Sequence, residues 1–204
     1  IRAVEHHSES PEAMFAQIPG LRMVIPSSPR RAYGLLLAAI ADPDPVVFFE
    51  PTRLYRAARE EVADDGRTLP LDRCFVLRDG GDLTLVAWGA MLRETLAAAD
   101  SLAAEGVSAA VIDAATLKPL DAATILASVE RTGRCVVVQE APLTAGMASE
   151  IAATVAEKGL LSLLAPVERV TGWDTVMPYP RTEQHYMPSA ARILAAARRA
   201  MAFR

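Results

Sequence analysis

Two adjacent histidines stand near the start of the chain, and the second opens the run His7-Ser8-Glu9-Ser10-Pro11-Glu12-Ala13. An imidazole titrates near working pH, so it can take up or deliver a proton during a reaction. The bland alternative for His7 is an exposed histidine in a polar opening segment, which the residue types alone favour. Asp42 and Asp44 alternate with Pro43 and Pro45. Carboxylate oxygens suit a hard cation, while proline-enforced helix termination accounts for the same residues without a metal; both readings stand. Glu140 ends an apolar run and precedes the turn Ala141–Gly146. The carboxyl edge of a parallel sheet is where open α/β folds place ligands, although here that edge is expected to pack on a partner subunit. Arg192, Arg198, Arg199 and Arg204 near the end read as a solvated face with a favourable interaction at a helix C-terminus.

The elements that would carry these groups follow from periodicity. Arg22–Ile25 and Val46–Phe49 read as strands. Between them Pro29–Ile40 reads as a helix, started by Ser28 with proline in its first turn and stopped at Asp42-Pro43-Asp44-Pro45. Residues 51–78, charged and broken by Pro51, Gly66 and Pro70, read as a linker over a surface. From Gly80 on, strands and helices alternate. The strands are Leu83–Ala87, Ala109–Ile112, Arg134–Gln139 and Val167–Thr171. The helices are striped by Leu92, Leu96, Ala99 and Leu102, by Ile125, Leu126 and Val129, by Met147, Ile151 and Val155, and by Ile193, Leu194, Ala197 and Met201. Such alternation implies a mostly parallel sheet with helices on both faces.

Composition agrees. The 204 residues are 51% hydrophobic and only 5% aromatic, a diet of Ala, Leu and Val that suits helices packed on a sheet. A formal net charge of −4 offers no electrostatic footprint for a nucleic-acid backbone. Cys74 and Cys135 are read as buried, reduced thiols. No run is long and apolar enough to span a bilayer, and a soluble, cytoplasmic protein is expected. Ile1 in place of methionine suggests a piece of something longer.

Several stretches carry a resemblance. His7-Ser8-Glu9-Ser10-Pro11-Glu12-Ala13, Pro19-Gly20-Leu21, Gly34-Leu35-Leu36-Leu37, Phe48-Phe49-Glu50-Pro51, Leu54-Tyr55-Arg56, Thr84-Leu85-Val86-Ala87-Trp88-Gly89, Val111-Ile112-Asp113, Gln139-Glu140-Ala141-Pro142 and Tyr186-Met187-Pro188 together resemble the β subunits of 2-oxo acid dehydrogenases. The match is collinear over essentially the whole chain. The Ser-Pro-Glu-Ala wording resembles the branched-chain members more than the pyruvate members.

The resemblance implies a three-layer α/β/α transketolase C-terminal-like domain over residues 79–204, a linker over 51–78, and the tail of a thiamine-diphosphate pyrimidine-binding α/β domain over 1–50. It implies an enzyme that works with an α subunit and a dihydrolipoyl acyltransferase core, uses thiamine diphosphate with magnesium, decarboxylates a 2-oxo acid and reductively acylates lipoamide. It places His7 at the thiamine site, assisting proton transfer to lipoamide, and Asp42 and Asp44 at a potassium site. The acidic residue that activates the cofactor would lie upstream of Ile1, so this chain alone is expected to hold no cofactor and to be inactive.

The arginines near the end would help dock the acyltransferase. Departures from the pattern are Glu9 for Gln, Ala114-Ala115 for Leu-Arg, Gln139 for His, Ala145 for Gly and Val176 for Pro. A non-catalytic assembly and docking module and a pyruvate-type paralogue are the alternatives. A transketolase or a deoxyxylulose phosphate synthase is disfavoured by the wording from His7 to Pro11.

Overall fold

In a computed structural model describing residues 6–203, one face of a central sheet is covered by two helices and the other face by two more. The order along the chain is α1 (Glu12–Ala16), β1 (Arg22–Val24), α2 (Pro29–Ala41), β2 (Val46–Phe48), β3 (Phe75–Arg78), β4 (Leu83–Ala87), α3 (Met91–Ala104), β5 (Ala109–Asp113), β6 (Thr116–Lys118), α4 (Ala122–Thr132), β7 (Cys135–Pro142), α5 (Met147–Gly159), β8 (Glu168–Gly172), α6 (Glu183–Tyr186) and α7 (Ala190–Ala202). Among the described residues no helix is long and apolar enough to cross a membrane.

The five-stranded sheet has the order β3-β5-β4-β7-β8. Pairing is parallel for β4 with β5 and β7 and for β7 with β8, and antiparallel for β3 with β5. Every residue of β4 and β5 is buried, as expected of strands covered on both faces. Their side chains alternate between two cores. Leu83, Leu85 and Ala87 join α3 and α7, whereas Val86 joins α4 and α5. Thr84, on the second face, bonds Ser128 and Thr132 of α4 at 2.8 Å each, which satisfies three buried hydroxyls together.

Helix α2 starts at Ser28 as expected, and two further helices start on the same kind of cap. Ser28, Asp121 and Ser189 each accept a backbone N–H three residues on and cap α2, α4 and α7. Cys74 and Cys135 are buried free thiols, pushed up to about 12 by burial, so neither is a thiolate at neutral pH.

Two features depart from the expected layout. The stretch read as a linker over residues 51–78 ends in β3, the antiparallel edge strand of the large sheet. The residues after β5 also do not stay with that sheet. β6 pairs antiparallel with β1, making a small second sheet of order β2-β1-β6. The carboxy-terminal part thus lends a strand to the amino-terminal part, and the two share one wall.

Candidate functional site

A cleft of about 500 Å³ lies where the amino-terminal part meets the carboxyl edge of the large sheet, with His7, Glu12, Phe49, Glu50, Arg53, Trp88 and Glu140 among its lining residues. The turn Trp88-Gly89-Ala90 leaves β4 on the side of the amino-terminal part. Gly89 has φ +53, and a Cβ there would press on Ile25 and Pro51. Glycine therefore permits both the left-handed turn and the close approach. Phe15 and Phe49 meet edge to face at 5.8 Å behind this wall.

The cleft is acidic. Glu12 is 4% exposed; its Oε1 accepts from Trp88 Nε1 at 3.3 Å, and its Oε2 is buried with no partner. Burial holds its carboxyl above the usual range. Glu140, at the end of β7, is pushed up to about 7, chiefly by burial, with Glu12 and Glu94 adding to the rise and the Arg53 guanidinium opposing it. Arg53 itself bonds Glu94 at 2.7 Å, and Glu50 accepts the Tyr55 hydroxyl at 2.5 Å.

His7 is among the residues that line this cleft, and it is exposed. Glu140 also lines the cleft, on the strand edge where its position suggested a ligand or a partner. Asp42 and Asp44 lie elsewhere, at the end of α2. They face Arg22, whose Nε is 3.3 Å from Asp42 and 3.5 Å from Asp44, and the Asp44 N–H donates to Asp42 at 2.9 Å. Among the described residues no group of three or more His, Cys, Asp or Glu side chains could hold a metal ion. Sequence reasoning passed over Glu12 as a site residue. Its signal, an acidic residue inside a run otherwise quoted only for resemblance, becomes visible once Trp88 is seen to cover it.

The departures acquire physical content. Gln139 is fully buried and saturated: its amide N donates to the carbonyls of Ala141 and Pro142, and its amide O accepts from Ala148 N–H at 2.7 Å. It braces the turn into α5. Ala115 packs with Val24, Leu35 and Leu71, and its carbonyl accepts from Ile25 N–H at 2.8 Å. Ala145 has φ +56, a left-handed conformation that costs an L-residue more than glycine.

The arginines near the end are not a bare solvated face. Arg192 donates to the carbonyls of Tyr186 and Thr171 and lies 4.5 Å over Trp173, while Arg198 and Arg199 pair with Glu105 and Glu168. Arg204 lies outside the described residues.

Comparison with known proteins decides the family. The model described as "Transketolase, C-terminal domain" matches residues 72–193, and that described as "Transketolase, pyrimidine binding domain" matches residues 1–58. This chain belongs to the transketolase C-terminal domain family. Its relatives are β subunits of 2-oxo acid dehydrogenases. The pyruvate dehydrogenase E1 component subunit beta of Bacillus subtilis is 46% identical over 203 residues, all of this chain and 62% of that protein. That of Acholeplasma laidlawii is 47% identical over 96% of this chain and 60% of its own. The mitochondrial 2-oxoisovalerate dehydrogenase subunit beta 2 of Arabidopsis thaliana is 50% identical over 95% of this chain and 54% of its own.

The chain therefore spans about three fifths of the length of such relatives. A solved structure described as "Split gene transketolase, inactive beta4 tetramer" superposes with a TM-score of 0.78 at 29% identity, covering 94% of this chain and 60% of that one. The transketolase-like fold thus stands on sequence and shape together.

Proposed function

We propose that the chain is the carboxy-terminal portion of a 2-oxo acid dehydrogenase β subunit that, with an α subunit and a dihydrolipoyl acyltransferase core, decarboxylates a 2-oxo acid and reductively acylates lipoamide. The carrying observation is the cleft itself. It sits at the carboxyl edge of the parallel sheet, where the matches to the two transketolase models meet in space, and His7 is among its lining residues. Residues 1–50, 51–78 and 79–204 then correspond to the tail of the pyrimidine-binding unit, a connector that closes with β3, and the transketolase-type unit.

Thiamine diphosphate with magnesium is the cofactor this reading implies. The described residues do not fit its diphosphate end: Glu12, Glu50 and Glu140 present like charge, and no metal-holding cluster accompanies them. Residues outside this chain would have to supply that grip. What this chain supplies is a wall, an enclosed acidic floor and one imidazole in reach of a reacting group. A monovalent cation such as potassium at Asp42 and Asp44 belongs to the same reading and requires Arg22 to swing away from both carboxylates.

The branched-chain type is supported by the Ser-Pro-Glu-Ala wording and by the Arabidopsis relative. The test is reconstitution of the full-length β subunit with its α subunit, assayed on 2-oxoisovalerate and pyruvate side by side. A higher kcat/KM on 2-oxoisovalerate is expected. The reverse ratio would make it a pyruvate-type subunit, and no turnover of either would sink the enzyme reading. The second reading, a non-catalytic assembly module, is favoured by one observation, the inactive tetramer in the description of the superposing structure.

A further inference from the structure

A 2-oxo acid is an anion, and to enter the cleft it must pass the lining carboxyls of Glu50 and Glu140. Something has to receive its charge. Among the described lining residues Arg53 is the one arginine or lysine. A second hollow of about 370 Å³ adjoins the cleft and shares Arg53, Gln184 and Met187 with it, and Arg93 and Glu94 line it as well. Arg53 therefore stands where two hollows join.

The guanidinium is held without being used up. Its side chain is 44% exposed, and its Nη2 donates to Glu94 Oε1 at 2.7 Å, a partner only 15% exposed. The remaining guanidinium nitrogens donate no hydrogen bond among the described residues. Glu94 thus fixes the group from one side and leaves donors of a planar fork for a second carboxylate, the recognition to which a guanidinium is best suited. Its charge is also felt inside the cleft, where it opposes the rise of the Glu140 carboxyl. Arg93, exposed and without an ion pair among the described residues, adds positive charge along the second hollow.

The direction of the chemistry decides what Arg53 can contribute. Decarboxylation breaks the bond between the carboxylate carbon and the keto carbon, the electron pair stays with the remainder of the substrate, and carbon dioxide leaves neutral. A guanidinium that kept its grip through this step would stabilise the starting carboxylate more than the transition state and so slow the loss. Its useful place is before the chemistry, at an opening to water, where attraction raises the local concentration of the anion. We propose that Arg53, steadied by Glu94, is the residue that captures the carboxylate of the incoming 2-oxo acid at the junction of the two hollows. The assignment rests on the function proposed above.

The test compares Arg53→Gln and Arg53→Lys with the unaltered full-length β subunit, each assembled with the α subunit and assayed on 2-oxoisovalerate. Arg53→Gln should raise KM about tenfold and leave kcat within about twofold, because capture is ground-state binding. Arg53→Lys, which keeps the charge, should recover most of the loss. Raising ionic strength from about 0.05 to about 0.5 M should raise KM several-fold for the unaltered enzyme and hardly at all for Arg53→Gln. The methyl ester of 2-oxoisovalerate, a neutral isostere, should inhibit both equally. An unchanged KM, a loss confined to kcat, or equal weakening of acid and ester overturns the assignment. Should Arg53→Gln fail to assemble because Glu94 is left unpaired, the double variant Arg53→Gln/Glu94→Gln serves in its place. If the unaltered enzyme turns over no 2-oxo acid, the proposed function fails, and calorimetric titration of 2-oxoisovalerate judges Arg53 separately: saturable binding that Arg53→Gln abolishes supports capture, and binding that is absent or indifferent to the substitution overturns it.

Discussion

The carboxy-terminal part and the amino-terminal part are built from the same strand-helix vocabulary, yet only one closes a core of its own. Helix α3 buries six of its 14 residues, while α2 buries two of 13, and β4 is buried throughout where β2 is only half-buried at each position. The small core under α2 consists of Val24, Leu35, Leu71 and Ala115, two of which come from beyond residue 50. On α2, Leu36 and Ile40 are 41% and 75% exposed. A three-stranded sheet with one helix cannot remove enough apolar surface from water by itself. The amino-terminal part is held by what the larger part lends it, and the candidate site lies on the seam between them.

The largest effect is expected at that seam. In the reconstituted full-length enzyme, His7→Ala should lower reductive acylation of lipoamide by roughly a hundredfold to ten-thousandfold, because opening the dithiolane makes a thiolate that needs a proton. Reduction of an artificial electron acceptor, which needs no such proton, should fall much less. Equal losses in the two assays would make His7 a positioning residue, and no loss in either would return it to an ordinary surface histidine.

The contrast in burial predicts a contrast in stability. Leu85→Ala, in the fully buried strand β4, should cost about 2–5 kcal/mol through lost burial and a cavity. Leu36→Ala, on the open face of α2, should cost under about 1 kcal/mol. Urea titration of both variants checks this, and comparable costs would mean that α2 is covered in solution.

The seam should also respond to acid. Asp113, at the end of β5, is fully buried and bonded by the Ser27 hydroxyl, with Arg31 Nε 3.1 Å away and one carboxylate oxygen unpartnered. The Arg31 Nε lacks hydrogen-bond alignment with Asp113, so the contact is an ion pair more than a directed bond. Burial outweighs both partners and pushes Asp113 up to about 6 from 3.8. The folded state therefore binds more protons than the unfolded one between these values. This contribution is fully present below about 3.8 and is lost as pH rises through about 6.

Between pH 7.5 and 4.5 it amounts to roughly 2 kcal/mol. Glu12 and Glu140 shift in the same direction, so the comparison is with Asp113→Asn, whose gain on acidification should be smaller by that amount in urea melts. An identical pH profile for the variant would show that Asp113 is not strained by burial.

The smallest effect is at the turn after β7. Ala145→Gly relieves the left-handed strain at φ +56, offset by the greater freedom of glycine in the unfolded chain, and should stabilise by up to about 1 kcal/mol. A Tm unchanged or lowered would show that the strain is already relaxed.

Much of this molecule was determined locally. Apolar runs of four or more residues bounded by glycine placed β4 to the residue and β5 and the start of β7 to within one, although β7 runs three residues past Gln139, and Ser28 marked the start of α2 because a cap needs only its own three following residues. The wording around His7 and the collinear runs after it were enough to name the family. Other features depend on partners far away in the chain. Strand β6 is three residues long, too short to show a period, and it exists only because β1 lies across from it. The strand β3 sits in a charged stretch and becomes a strand only by pairing with the end of β5. Glu12 and Glu140 meet in one cleft, and Asp113 meets Ser27 and Arg31, through packing between parts that lie scores of residues apart. A carboxyl's burial, and hence its charge, is a property of what surrounds it in space, so these pairings belong to the tertiary structure alone.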